Sequence, residues 1–427
     1  MLAVMSFFMV GFVLIGIPMA FAIIAGMGLG LFLMGGLPHN LIIQRIATGV
    51  EHHTYLAIPL FIMAGTLMER SGISVRLVAF AKALVGHIKG GMGHVVVVSE
   101  IFFSGISGAS LSDASAIGSI MYPALRRSGY EPGRATALIA AACAMGILIP
   151  PCLTMVVLGA ITGVSVAALF VAGFIPGFLM AVALMLLVYF QARRGLLPAG
   201  EPPASWAETA RAGRESIIPL MLPVIIFGGI FGGIFTATEA AAVAVLYALI
   251  VTMFVYRDVG LRDIYRILVD TAALSGAIGL IVGAATAFSA VLTLQRVPAE
   301  VADLITGFSS NPYIFMIISN IVFVLFGAVL DGIPALLMFI PILYPVAQEL
   351  GIDPLHYTLL SVASLGIGMI IPPIGIMTLV ICSLTKTSLR ATSKAMIPYL
   401  GILFACLVLM IFFPSIVLVL PQMLGLW

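Results

Sequence analysis

Charge is the scarcest commodity in this chain. Only 8% of its 427 residues are Asp, Glu, Lys or Arg, against 62% hydrophobic. A soluble domain carries roughly 25% charged residues. With a mean hydropathy of +1.24, no soluble fold could keep so much apolar surface from water. Net charge is +2 and no long basic or acidic run occurs, so neither nucleic acid nor a charged tail is indicated. Cysteine is sparse too. Cys143, Cys152, Cys382 and Cys406 all lie in apolar stretches. None pairs with histidine at metal-ligand spacing, so a disulfide framework or zinc site is not expected. Met1 leads straight into apolar sequence without a basic segment, which argues for a retained first membrane helix over a cleaved signal peptide. The apolar runs are long and do not alternate polar with apolar. That selects membrane helices over a barrel, because lipid tolerates only structures that satisfy every backbone polar group internally.

What the chain does have is itself, twice. Ile149-Pro150-Pro151 recurs 222 residues later as Ile371-Pro372-Pro373. The same offset pairs Gly105 with Gly327, Tyr122-Pro123 with Tyr344-Pro345, and Gly129 with Gly351. It also pairs Gly146 with Gly368, Met155 with Met377, and Ile175-Pro176 with Ile397-Pro398. Matched helix breakers inside two apolar halves point to a transporter site at a repeat interface.

The expected plan is all-α and polytopic. Residues 1–190 form a first repeat, 191–216 a polar cytoplasmic linker, and 217–427 a second repeat. Two short helices occupy 2–35, residues 55–70 span, and 74–89 lie along the membrane surface. Each repeat holds a re-entrant hairpin (91–127; 312–348) and a helix broken at Pro-Pro (133–163; 355–385). Spans are expected at 166–190, 217–236, 239–256, 268–292 and 395–420, a basic connector at 257–266, and a second surface segment at 295–309. The first hairpin is followed by Arg126-Arg127; the matched positions are Gln348-Glu349. Basic loops stay cytoplasmic, so the hairpins enter from opposite faces. Five crossings lie between them, an odd number, and the second repeat is therefore inverted. Arg193, Arg194, Arg211, Arg214, Arg257, Arg262, Arg266, Lys386, Arg390 and Lys394 fall inside in this scheme. Glu300, Asp303, Glu349 and Asp353 fall outside, with Arg296 the exception, and both termini are periplasmic.

The chemistry concentrates at the hairpin tips and the breaks. The stretch from Ser104 to Asp113 holds Ser104, Gly105, Ser107, Gly108, Ser110 and Ser112. Glycines allow a sharp turn, and irregular backbone at membrane depth survives only where it lines a cavity or is buried in protein. Hydroxyls and carbonyls are hard oxygen ligands suited to sodium, by analogy with calcium and magnesium. The same glycines and serines also serve close helix packing. A double proline ends a helix by steric clash and a missing donor. It frees carbonyls of Gly146 to Ile149 for a cation and turns the next half-helix's positive end toward an anion; a plain kink is the alternative. Thr154 is a candidate substrate contact there. The second tip holds Gly327, Asp331, Gly332 and Pro334, but Phe326 and Val329 replace the serines. A second cation site must then use carbonyls near Gly327, Gly368, Ile371 and Pro373, with Thr378 assisting substrate. Asp331 is either functional or part of a wet cavity wall. Ser110, Ser112 and Asp113 complete the candidate substrate set. No lysine or arginine is near the tips in sequence, so half-helix dipoles, hydroxyls and sodium must offset a substrate's charge. Glu51-His52-His53 reads as a solvated interfacial face.

Ile58-Pro59-Leu60-Phe61, Ala64-Gly65, Ser71-Gly72-Ile73-Ser74, the Gly108-to-Asp113 tip, Gly129-Tyr130, Ile149-Pro150-Pro151, and Phe170 with Ala172-Gly173 and Pro176-Gly177 together resemble the large membrane subunit of tripartite ATP-independent periplasmic (TRAP) transporters. The resemblance covers nearly the whole chain. It implies an ion-transporter-like elevator fold with scaffold and transport parts, in a bacterial inner membrane. It implies sodium-driven uptake of a small organic acid, a carboxylate such as a C4-dicarboxylate or sialic acid. It also implies a separate periplasmic substrate-binding protein and a smaller membrane subunit on another chain. Residue by residue, it places one sodium site at Ser104, Ser107, Gly146, Ile149 and Pro151, and a second around Gly327, Gly368, Ile371 and Pro373. Two positions depart from the family pattern. Ala109 stands where a Ser is usual, and Cys152 where a Ser commonly follows the double Pro.

The alternative of the same broad fold is a stand-alone sodium–dicarboxylate symporter needing no binding protein. An enzyme would want a His/Asp/Glu cluster or a Ser–Lys pair in the membrane, and the sequence shows none. A channel would show uncoupled flux.

Overall fold

The computed structural model describes residues 5, 8–9, 11–13, 15–34, 39–108, 110–297, 299–300 and 311–427. Ala109, Asp303 and most of the expected surface segment at 295–309 lie outside them, as does part of the expected N-terminal helix pair.

Every regular element among the described residues is helical. Helices α1 (Met19–Met34) and α2 (His39–Gly49) lead to a 3-10 turn and α3 (Ala57–Arg70). Gly72, in the left-handed region at φ 64°, starts α4 (Ile73–Val85), and the chain bends by 74° there. Such a φ suits glycine, which has no Cβ to clash. The first hairpin is α5 (Gly91–Ser107) and α6 (Ser110–Arg127). The first broken helix is α7 (Pro132–Gly146) and α8 (Leu153–Thr162). Then come α9 (Val166–Arg193), α10 (Trp206–Phe231), α11 (Ala237–Ile250, prolonged by a π-helical turn over Val251–Tyr256) and α12 (Leu261–Leu294). The second hairpin is α13 (Pro312–Val329) with α14 (Gly332–Glu349), and the second broken helix α15 (Pro354–Gly368) with α16 (Ile376–Thr385). Helices α17 (Leu389–Phe412) and α18 (Ser415–Met423) end the chain. Seven helices among the described residues are long and apolar enough to cross a bilayer, and the protein is a multi-pass membrane protein.

Three boundaries differ from the sequence expectation. The linker is shorter than 191–216, because a reciprocal cap between Ser205 and Glu208 starts α10 inside it; two orphan N–H groups are satisfied at once there. The connector at 257–266 is helical from Leu261, which makes α12 34 residues long. At 1.5 Å per residue that is about 51 Å, well beyond a hydrocarbon core of about 30 Å. The last span breaks before Pro414, and a separate α18 follows.

The two hairpins interlock. In the first repeat, α6 packs on α7 of its own broken helix and on α16 of the other. In the second, α14 packs on α15 and on α8. Each hairpin's second arm thus rests on the far half-helix of the other repeat. The broken helices also touch directly: a Cβ on Gly366 would lie 2.7 Å from the Ala144 carbonyl oxygen and 2.6 Å from Ile147 Cγ2.

Connecting segments meet one another at several points. Lys82 pairs with Glu201 at 2.8 Å, Arg76 stacks over Tyr256 at 3.8 Å, and Arg134 bonds the Leu196 carbonyl at 3.0 Å. Tyr122 and Thr387 hydroxyls are 3.0 Å apart. Trp427 Nε1 donates to Asp353 at 2.9 Å, so the C-terminus lies beside Asp353.

The Gly366 crossing leaves no space for a side chain. Gly366→Val is expected to lower stability by about 1–3 kcal/mol through overpacking, seen as a fall in melting temperature in detergent. Unchanged melting would refute the close crossing.

Candidate cation and substrate site

The first break is built around three carbonyls. Proline at 150 and 151 stops α7, whose end tightens through Ile149 N–H donating to the Gly146 carbonyl at 2.8 Å. The Ser104 hydroxyl, on α5, reaches across to the Gly146 carbonyl and to the Ile149 carbonyl at 3.3 Å. The hairpin tip turns at Gly108, with φ 65°. A Cβ on Gly108 would lie 2.7 Å from the Pro151 carbonyl oxygen, and the Gly108 carbonyl accepts the Leu153 N–H at 3.1 Å. Both peptide bonds joining the double prolines, Pro150-Pro151 and Pro372-Pro373, are cis. On its other side the tip is pressed by α3, where a Cβ on Gly65 would lie 2.9 Å from Ser107 Cα.

Two carboxylates face this cluster. Asp113 is 1% exposed; its Oδ1 accepts the Ser107 hydroxyl and its Oδ2 has no partner. Glu100 is fully buried. Its Oε2 accepts the Cys143 thiol at 3.4 Å, and its Oε1, unpartnered, abuts Gly146. Carbonyls, hydroxyls and orphaned carboxylate oxygens form a hard-oxygen donor set, and the residues present fit an alkali cation. Ser104, Ser107, Gly146, Ile149 and Pro151 are thus brought together as the sequence expected. Glu100 was missed. An acidic residue inside a 17-residue apolar helix, four before Ser104 and so on its face, was the available signal.

The second break is organised differently. Gly327 and Gly368 do meet: a Cβ on Gly368 would lie 3.1 Å from Gly327 Cα. The Ile371 carbonyl accepts the Gly375 N–H at 2.7 Å, a bond within its own segment. Pro373 is exposed and faces a cavity of 580 Å³ lined also by Arg390 and Lys394. The turn after α16 thus runs the start of α17, with Arg390 and Lys394, back beside the second break.

Among the substrate candidates, Thr154 lies at the meeting of the repeats, where a Cβ on Gly332 would be 3.9 Å from its Oγ1. Asp331 is exposed beside it and caps α14, its Oδ1 accepting the Gly332 N–H at 2.7 Å. Ser110 opens α6, half-buried. The Ser112 hydroxyl is committed to Glu69 at 2.9 Å. Thr378 is fully buried and donates to the Ile370 carbonyl at 3.0 Å, so its hydroxyl props the break. Thr154, Asp331 and the tip of the second hairpin form one group; Ser112 and Thr378 stand apart.

Gly108 is required by both its φ and its neighbour. Gly108→Ala is expected to cost about 1–3 kcal/mol from strain and overlap, measurable as a lower melting temperature. Melting equal to the parent would show that the tip does not sit against Pro151.

A family model, Tripartite ATP-independent periplasmic transporter, DctM component, matches residues 5–416. The chain is 37% identical over 375 residues to the C4-dicarboxylate TRAP transporter large permease protein DctM of Pseudomonas aeruginosa, covering 88% of each. It is 35% identical over 414 residues to the sialic acid TRAP transporter large permease protein SiaM of Vibrio cholerae, covering 97% of this chain and 96% of that one. It is 32% identical over 410 residues to the 2,3-diketo-L-gulonate TRAP transporter large permease protein YiaN of Escherichia coli, covering 96% of both. Among solved structures, the YdaH transporter of Alcanivorax borkumensis, described as having an unusual topology, superposes with a TM-score of 0.60 at 14% identity. The match covers 88% of this chain and 87% of that one, and the two share a fold.

Proposed function

The chain belongs to the DctM component family of the tripartite ATP-independent periplasmic transporters as a large permease subunit, and from that premise we propose that it takes up a small organic acid by coupling to sodium. The observation that carries this reading is the Ser104 hydroxyl holding the Gly146 and Ile149 carbonyls beside the orphaned Asp113 oxygen. Sodium bound there would fix the first hairpin tip against the break. The substrate's carboxylate would then meet the N-terminal end of α8, where the half-helix dipole favours an anion, with Thr154 and the Asp331–Gly332 tip around it. Relatives named for C4-dicarboxylate, sialic acid and 2,3-diketo-L-gulonate support a carboxylate-bearing substrate.

Interlocked hairpins and broken helices would move as one body against the remaining helices, an elevator-type exchange of access. Five crossings separate the hairpins: the first broken helix, α9, α10, α11 and α12. An odd number supports inverted repeats; family membership supports the bacterial inner membrane, and the basic loops support periplasmic termini. A separate small membrane subunit and a periplasmic binding protein complete the system.

The test is uptake of labelled C4-dicarboxylates and sialic acid into proteoliposomes holding the chain and its small subunit, with and without the binding protein. Uptake should require inward sodium and binding protein. Uptake indifferent to sodium would sink the coupling, and sodium-driven uptake without a binding protein would favour the stand-alone symporter. Ser104→Ala is expected to raise the sodium concentration for half-maximal uptake about tenfold, the equivalent of one lost hydrogen-bonding ligand. An unchanged sodium dependence would remove Ser104 from the site.

A further inference from the structure

We infer that Glu100, alongside Asp113, supplies negative charge to the first sodium site, an assignment that rests on the sodium reading above. Glu100 sits one helical turn before Ser104 on α5, so both side chains lie on one face. It is fully buried, and no ion pair among the described residues involves it. The Cys143 thiol holds one carboxylate oxygen; the other has no partner and lies against Gly146, whose carbonyl the Ser104 hydroxyl grips. A buried carboxylate without a cation beside it is costly. Sodium at the Gly146 and Ile149 carbonyls, which the Ser104 hydroxyl holds, is the cation within reach.

The second repeat shows that packing alone does not need this charge. The same contact, between a hairpin's first arm and a broken helix, is made there by neutral groups: the Ser364 hydroxyl donates to Asn320, whose amide donates to the Met316 carbonyl at 2.6 Å. At the repeat offset, Val322 and Leu365 occupy the positions of Glu100 and Cys143. The carboxylate is therefore peculiar to the half that also carries the serines. Glu100 acts as a charge partner and positioning group: it offsets sodium and, through its contact with Gly146, fixes the carbonyl that faces the ion.

The probe is sodium alone. The full chain, purified with its small subunit in detergent, is melted across a titration of sodium chloride against choline chloride at constant ionic strength. The parent should gain melting temperature with sodium. Glu100→Gln should need about tenfold more sodium or higher for the same gain, as loss of a charge within a few ångströms implies. In choline alone it should melt no lower than the parent, since the substitution removes an uncompensated charge. A midpoint equal to the parent's overturns the inference, as does a lower melting temperature in choline with the sodium gain intact, which marks a structural role. Glu100→Asp, which withdraws the charge by one methylene, should raise the midpoint several-fold, and no change there also counts against it. A parent whose melting ignores sodium overturns the sodium reading and this inference together.

Discussion

Backbone carbonyls and N–H groups at membrane depth must find partners inside the protein. Two double prolines remove the usual partners from two helices, and the rest of the structure follows from how each gap is closed. In the first repeat the closure comes from a neighbour. The Leu153 N–H reaches the Gly108 carbonyl at the hairpin tip, and the Ser104 hydroxyl takes the Gly146 and Ile149 carbonyls. At the matched position in the second repeat, the Gly375 N–H turns back to its own Ile371 carbonyl, and the Thr378 hydroxyl closes on Ile370. One break depends on its hairpin; the other largely closes on itself.

This difference sorts the two halves into roles. A break that relies on another segment for its hydrogen bonds is ordered or disordered with that segment. Under the sodium coupling proposed above, an ion bound between them would order both. The first repeat carries the hydroxyls and buried carboxylates for such control. The second carries the exposed Pro373 and a cavity lined by Arg390 and Lys394. Each hairpin's second arm rests on the other repeat's half-helix, so the two halves are in direct packing contact. Thr154 beside Gly332 is the place where the two meet.

Much of the fold was legible along the chain. Proline and glycine positions marked both hairpins and both breaks within a few residues, because these residue types act on the local backbone whatever surrounds them. The helix starts at Trp206 and Leu261 were hidden because polar composition in 191–216 and 257–266 resembled a linker. Capping by Ser205 and Glu208 is a local signal, but it competes with that impression. At the candidate site, the serines and the Gly146-to-Ile149 carbonyls stood out by residue type, and the family resemblance set Ser104, Gly146 and Ile149 together; the structure places them in contact. Glu100 was not, since a lone acid in an apolar run shows nothing of what it faces. Ser112 and Thr378 show the converse: suitable hydroxyls that tertiary contacts with Glu69 and Ile370 had already claimed.

The sequence by itself determined that the chain lives in a membrane, that it is helical, that it is a repeat, and that one helix of each repeat breaks at a double proline. Those properties follow from composition and from the covalent limits of proline and glycine. Only the tertiary structure decided which partner each freed carbonyl finds, within its own segment or on a neighbouring one, and which buried acids stand beside them. Hydrogen-bond partners 40 or more residues apart are set by packing, and no local pattern encodes them.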